Sequence, residues 1–282
     1  MRTFLASAAL ASIALVVVAC DQPTPPAPQT AAPSSAASSN TPPALASGTA
    51  GQAVNDVSLV RGDTIDTSKG PLVIMPLNHA SFLMSFAGKV IAVDPTTEAL
   101  KHGLLPKADY VFITDIHPDH LDLAALDAIG TKGTVFVGPV AVGGKRDMTR
   151  TLANGGNQTF DTFSVEAVPM YNLKRGPDAG LLFHDKGRGD GYVFTFGDKR
   201  VYVSGDTECI PEMRALKNID VAFMCMNLPY TMPPDEAATC ARAFKPKVVY
   251  PYHYRGQDPK AFAQALTGTG IDVRLRDWYA AP

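Results

Sequence analysis

Five short apolar runs in this chain each finish in a polar side chain able to bind a ligand: "KVIAVD" at Asp94, "YVFITD" at Asp115, "RVYVSGD" at Asp206, "VAFMCMN" at Asn227 and "KVVYPYH" at His253. Runs of this length, rich in β-branched and aromatic residues, read as strands. One aspartate after one strand is ordinarily the start of a turn. Several together point elsewhere, because in open α/β sheets ligands gather outside the carboxyl ends of the strands. The chain is thereby constrained to a fold that brings these ends to one edge.

Further strand-like runs are "PLVIMPL", "GTVFVG", "FSVEAVPM", "GYVFTF" and "DVRLRDW". Helix-like patterns lie between the strands: "DLAALDAI", "GKRDMTRTLANG", "CIPEMRALKN", "PDEAATCARAFK" and "DPKAFAQALTGTG". The third and fourth begin beside Pro or acidic residues, as helix starts do. Strands alternating with helices through the whole body mean α/β.

This body does not begin at residue 1. "MRTFLASAALASIALVVVAC" has a short positive start, an apolar run and a small residue before Cys20, the layout of a secretory signal. Its ending resembles the bacterial lipobox, which implies a leader over residues 1–19 and a lipid on Cys20. Residues 20–53 then form a tether of Pro, Ala, Ser and Thr, too poor in large apolar groups to fold. Residues 54–282 remain for one full-sized domain. The expected location is outside the cytoplasm, lipid-anchored to a bacterial membrane at its periplasmic face.

A formal net charge of −2 and the absence of basic clusters exclude nucleic acid as a partner. With Cys20 assigned to lipid, Cys209, Cys225 and Cys240 allow at most one disulfide. Cys225 reads as a small core residue, Cys240 as a helix position and Cys209 as a bystander near the loop "GDTE". "GPVAVGGKR" misses the spacing of a phosphate-cradling loop, and "GRGDG" precedes a strand where a dinucleotide fingerprint follows one.

The densest chemistry is in "TDIHPDHLD", where Asp115, His117, Asp119 and His120 follow a strand. One tight loop there offers imidazole and carboxylate to two adjacent ions. With "SGDTE" and "PYHY" it resembles the metallo-β-lactamase superfamily, whose signature is His-x-His-x-Asp-His at a strand end. "NHASFLMSFAGKVIAVDP" and "GYVFTFGDKRVYVSGDT" resemble more nearly the branch of ascorbate-6-phosphate lactonases and N-acylphosphatidylethanolamine phospholipase D. The resemblance implies an αββα sandwich with metals on one edge. It further implies that His117 binds a first ion, that Asp119, His120 and His253 bind a second, and that Asp206 bridges both.

Two positions depart from that pattern. Asp115 stands where the signature has its first histidine; it either ligates through oxygen, favouring harder ions such as manganese or iron(II), or leaves the first site one ligand short. The histidine expected between the signature and Asp206 is either His184 in "LLFH", favoured by its imidazole, or Asn172 in "PMYN", favoured by its strand end. The Gly-rich stretch around His184 also has the composition of a lid. His79 in "NHASF" is expected beside the metals, orienting substrate or ligands, with a strand histidine as the plain alternative. Tyr252 and Tyr254 either supply a phenol or pack, and His102 faces solvent.

The function implied is a hydrolase with two divalent ions, zinc first, in which a metal-bridging hydroxide attacks an ester, lactone, amide or phosphodiester and Asp119 orients the nucleophile. The substrate expected is a small molecule or lipid derivative. Alternatives are an N-acyl phospholipid phosphodiesterase, a metal-binding surface lipoprotein with a degenerate site and no turnover, and, last, iron-based oxygen chemistry.

Overall fold

The computed structural model describes residues 62–279 except 102 and 104. The leader over residues 1–19, Cys20, the tether over residues 20–53, the first residues of the expected domain and His102 lie outside the described residues. Among the described residues no helix is long and apolar enough to cross a membrane.

Two seven-stranded sheets follow one another in the chain. The first contains β1 (Asp63–Thr67), β2 (Gly70–Asn78), β3 (Ser81–Phe86), β4 (Lys89–Val93), β5 (Tyr110–Phe112), β6 (Val135–Pro139) and β7 (Arg150–Leu152), adjacent in that order. The second contains β8 (Asn157–Thr159), β9 (Ser164–Met170), β10 (Gly189–Phe196), β11 (Lys199–Val203), β12 (Val221–Cys225), β13 (Val248–Tyr252) and β14 (Asp272–Val273), again in chain order. In each sheet the first four strands run antiparallel and the rest continue parallel. The two halves therefore repeat one plan, and their parallel portions supply the carboxyl ends on which a site can be built.

The inner faces meet in a core where Phe82 stacks on Phe223 at 4.3 Å between ring centroids and Phe112 meets Phe194 edge-on at 4.8 Å. Helix α1 (Leu123–Ile129) covers the outer face of the first sheet, burying Leu126 and Ile129 against Val111 and Ile113. Its start is fixed by Asp122, whose carboxylate accepts from the Ala125 amide at 3.1 Å. A shorter α2 (Val140–Gly143) lies beyond β6. On the other side, α3 (Pro211–Arg214), α4 (Pro234–Phe244) and α5 (Pro259–Ala265) each carry Pro in the first turn, where the missing amide hydrogen has no helical acceptor to lose. The Ala237, Cys240, Ala241 and Phe244 face of α4 is buried. This is the αββα sandwich expected.

Two local expectations change. "GKRDMTRTLANG" is not a helix: it holds β7, because an edge beside β6 is open to the β-branched run around Thr151. "DVRLRDW" supplies only the two residues of β14 before the chain turns toward the site. A disulfide joins Cys209, just past β11, to Cys240 on α4, and Cys225 is free and buried in the core.

Candidate metal centre

All five polar strand ends converge. Asp94 follows β4, Asp115 follows β5, Asp206 follows β11, Asn227 follows β12 and His253 follows β13. Three of the site's residues, His79, Asp94 and His253, hold φ of 54°, 43° and 50°. Non-glycine residues in this left-handed region are uncommon and collect where the surrounding structure enforces them. Here the enforcement is visible: the His253 amide donates to the His79 carbonyl at 3.1 Å, and the His79 amide donates to the Trp278 carbonyl at 3.1 Å. The β2–β3 hairpin, the end of β13 and the last described segment are thereby tied together.

Donor atoms gather in two clusters around Asp206. Asp115, His117 and His184 place one donor each within 4.8 Å of one another, and so do His120, Asp206 and His253; a third group, His79, Asp119 and His253, overlaps the second at His253. Asp206 Oδ2 lies 3.4 Å from His120 Nε2 and 3.4 Å from His184 Nε2, while Oδ1 lies 3.4 Å from His253 Nε2. One carboxylate thus faces both clusters. Asp119 Oδ2 sits 3.3 Å from His253 Nε2. The residue set expected from the sequence is brought to one place, with His184 inside it.

The imidazoles are oriented from behind. His120 Nδ1 lies 2.9 Å from Asp94 Oδ2, and Asp94 also accepts from the Thr114 amide at 2.8 Å and the Thr114 hydroxyl at 2.6 Å. A carboxylate only accepts, so the Nδ1 proton points at Asp94 and Nε2 is the atom turned into the site. Burial opposes protonation, but Asp206 and Asp94 raise the His120 pKa well above its ordinary value, so a cation bound there would take the place of the Nε2 proton. His184 is treated alike: its Nδ1 lies 2.6 Å and its amide 2.9 Å from Asn172 Oδ1. Asn172 is therefore the orienting partner of His184 rather than its rival. The Asn172 amide nitrogen donates in turn to the Tyr230 carbonyl at 2.8 Å.

The loop carrying His184 is pinned rather than hanging free as a lid. Buried Glu208 accepts from the amides of Leu173, Lys174 and Arg175 and from Arg175 Nη1 at 2.7 Å, while Arg175 Nη2 donates to Glu236 on α4 at 2.8 Å. Cys209, expected as a bystander, reinforces the same junction through its bond to α4.

Asp115 is buried and faces Arg188, whose Nε and Nη2 donate to Oδ1 at 3.2 Å and Oδ2 at 3.0 Å. His117 Nδ1 lies 2.8 Å from Asp115 Oδ2. Burial opposes its ionisation, yet His117, His120 and Arg188 draw the Asp115 carboxyl down to about 2. Sequence reasoning missed Arg188, which lies among glycines far from the signature.

His79 accounts for both ring nitrogens. Burial lowers its pKa to about 4, against the pull of Asp119, so it is neutral near pH 7 and carries one N–H. Nε2 faces Asp119 Oδ2 at 3.1 Å and Nδ1 faces the Tyr279 hydroxyl at 2.7 Å. Since Asp119 can only accept, the proton is on Nε2 and Tyr279 donates to Nδ1. His79 therefore fixes Asp119. Tyr252 and Tyr254 take the packing option: the Tyr252 hydroxyl accepts from the Gly205 amide at 3.1 Å, and the Tyr254 hydroxyl donates to the Arg276 carbonyl at 3.1 Å.

The residues fit divalent cations. Buried His120 Nε2 and Asp206 Oδ1 have no hydrogen-bond partner in the protein, which is costly for polar atoms unless something else satisfies them. Burial opposes the charge, but His253 and His120 hold Asp206 well below the usual carboxylate range, leaving it an anion able to take a cation. Imidazole nitrogen and carboxylate oxygen are the donors that zinc, manganese and iron accept.

A pocket of about 660 Å³ opens on these groups, lined by His79, His117, Asp119, His184 and Asp206 together with Phe183, Asn227, Leu228, Pro229, Tyr230 and Arg255. Its size suits a small molecule.

Comparison with known proteins agrees with this geometry. A metal-dependent hydrolase from Desulforamulus reducens is 28% identical over 215 residues, covering 70% of this chain and 94% of the relative. A crystal structure of a protein assigned as a metal-dependent hydrolase from Parabacteroides distasonis is 40% identical, covers 77% of this chain and 98% of that one, and superposes with a TM-score of 0.73. Igni18, a metallo hydrolase from Ignicoccus hospitalis, is 25% identical with a TM-score of 0.59, covering 73% and 94% of the two chains. The family described as beta-lactamase superfamily domain matches residues 74–253, from β2 to the last histidine of the site. The chain belongs to that family and carries its metallo-β-lactamase fold.

Proposed function

We propose that the chain is a metal-dependent hydrolase in which Asp115, His117 and His184 hold one divalent cation, Asp119, His120 and His253 hold a second, and Asp206 serves both. The single observation that carries this reading is the Asp206 carboxylate, whose two oxygens face imidazoles from both clusters at 3.4 Å. The relatives named as metal-dependent hydrolases support it. When bound, such ions supply an acidified water and polarise the bond attacked.

The chain's own residues do the rest. Asp94 and Asn172 aim the His120 and His184 lone pairs, and His79, steadied by Tyr279, holds Asp119. Asp119 is partly open to the pocket, where it can accept a proton from the attacking water and orient it. Asp115 adds oxygen to the first cluster, which favours harder ions there, with its excess charge balanced by Arg188. The alternative of a degenerate site without turnover gains no support, since the first cluster has three donors in place.

The substrate is an ester, lactone, phosphodiester or N-acyl phospholipid. Export with a lipid on Cys20 belongs to the same reading, and the Cys209–Cys240 bond supports it, because disulfides persist in oxidising compartments. The test is a panel of these four substrate classes with metal-loaded protein. Hydrolysis of at least one class, abolished by a chelator and restored by added metal, is expected; no turnover of any class under zinc, manganese or iron would refute it.

A further inference from the structure

The apolar part of the pocket lining is not used by the chemistry above. Phe183 and Tyr230 meet edge-on at 5.0 Å, and Leu228 and Tyr230 remain 39% and 46% exposed. Leu173 and Leu181, on the loop that carries Phe183, are exposed as well. An apolar surface left open at the mouth of a pocket marks a place where an apolar ligand group is taken up.

Arg255 lies at another part of the same pocket. Its guanidinium is 5.9 Å from the centroid of the Tyr279 ring, whose hydroxyl contacts His79. Among the described residues it has no carboxylate partner, whereas Arg175 and Arg188, the other arginines near the site, are both committed to acids. A guanidinium is suited to a planar or tetrahedral oxyanion, which it engages with paired N–H groups. The apolar wall adjoins His184 through Phe183, and Arg255 follows His253 by two positions in the chain. Both features line the pocket onto which the donor clusters open.

We infer that the pocket takes a small amphiphilic anion, with an acyl or aryl portion against Phe183, Leu228 and Tyr230 and an oxyanion group on Arg255, and that this is the class of substrate the hydrolase site acts on. This rests on the hydrolase reading only for its last clause; the binding itself does not.

The test is calorimetric titration of metal-loaded protein with phenylbutanesulfonate and with phenylbutanol, a pair that shares the aryl chain and differs in the anion. A sulfonate is a weak metal ligand, so the comparison reads Arg255 rather than the cations. Wild type is expected to bind the sulfonate about tenfold more tightly than the alcohol, with the preference shrinking at high salt. Arg255→Gln should erase the preference, Arg255→Lys should keep part of it, and Phe183→Ala should weaken both probes. Equal binding of the two probes by wild type, or the full preference persisting in Arg255→Gln, overturns the inference. Because binding is read whether or not a bond is cleaved, loss of the preference alongside intact hydrolysis removes this inference alone.

Discussion

Arg188 and Asp115 form a two-pronged ion pair at the first donor cluster, with Nε 3.2 Å from Oδ1 and Nη2 3.0 Å from Oδ2. Asp115 is fully buried and the Arg188 side chain is 19% exposed. Removing one member of a buried pair leaves the other charge uncompensated, at a cost of about 3–5 kcal/mol. Arg188→Met should lower the stability of metal-free protein by about that much, and by clearly less once divalent cations are bound beside Asp115. Denaturant unfolding with and without metal checks both halves.

The supports behind the imidazoles should act separately. Partners that orient a metal-binding histidine typically change metal affinity about 10–100-fold. Asn172→Ala frees His184 and should weaken the first cation by that factor, while Asp94→Asn should weaken the second. Competition with a chromophoric chelator, titrated to two equivalents, reads the two steps. A loss of the same step in both variants would contradict the assignment of His184 and His120 to different clusters.

How much of this was legible in the sequence follows from where each signal sits. The donors Asp115, His117, Asp119 and His120 lie in one short loop, and Asp206 and His253 each close an apolar strand, so local pattern marked them. Their partners come from far along the chain: Arg188 is 73 positions from Asp115, and Tyr279 is 200 from His79. Neither sits in a pattern that announces a role, and only the folded pairing of sheets brings them in. Asn172 and His184 were both visible as candidates, but their relation is a hydrogen bond across 12 positions that spacing does not encode. Likewise β7 was mistaken for helix because edge pairing with β6, not the local pattern, decides the state of Arg150–Leu152.

Asp190 gives the protein a dependence on pH through a carboxyl that belongs to neither donor cluster. Its carboxyl is buried on β10, one oxygen contacts Asn154 and the other has no partner, and burial raises its pKa to about 7. The folded state therefore binds more protons than the unfolded state between about pH 4 and pH 7. Stability from this group is fully present below about pH 4 and is lost as pH rises through about 7, by about 3–4 kcal/mol in all. Asp190→Asn removes this titration, so its stability relative to wild type should climb from pH 5 to about pH 7 and level off above it in denaturant melts. A constant difference across that range would contradict the burial argument.

The Cys209–Cys240 bond closes a loop with a sequence separation of 31 and anchors the segment just after Asp206 to α4. A cross-link of that span stabilises by about 3–4 kcal/mol in the chain-entropy account. The Cys209→Ala/Cys240→Ala double variant should lose roughly that amount in chemical denaturation, and reducing agent should destabilise wild type but not the variant.

Whether Asp206 joins the two donor clusters is decided by the metal content of purified, metal-loaded protein, measured by elemental analysis for wild type and Asp206→Ala side by side. Two ions per wild-type chain are expected, with loss of both, or nearly both, in Asp206→Ala, and His253→Ala emptying chiefly the second site. Wild-type metal content in Asp206→Ala would contradict that role.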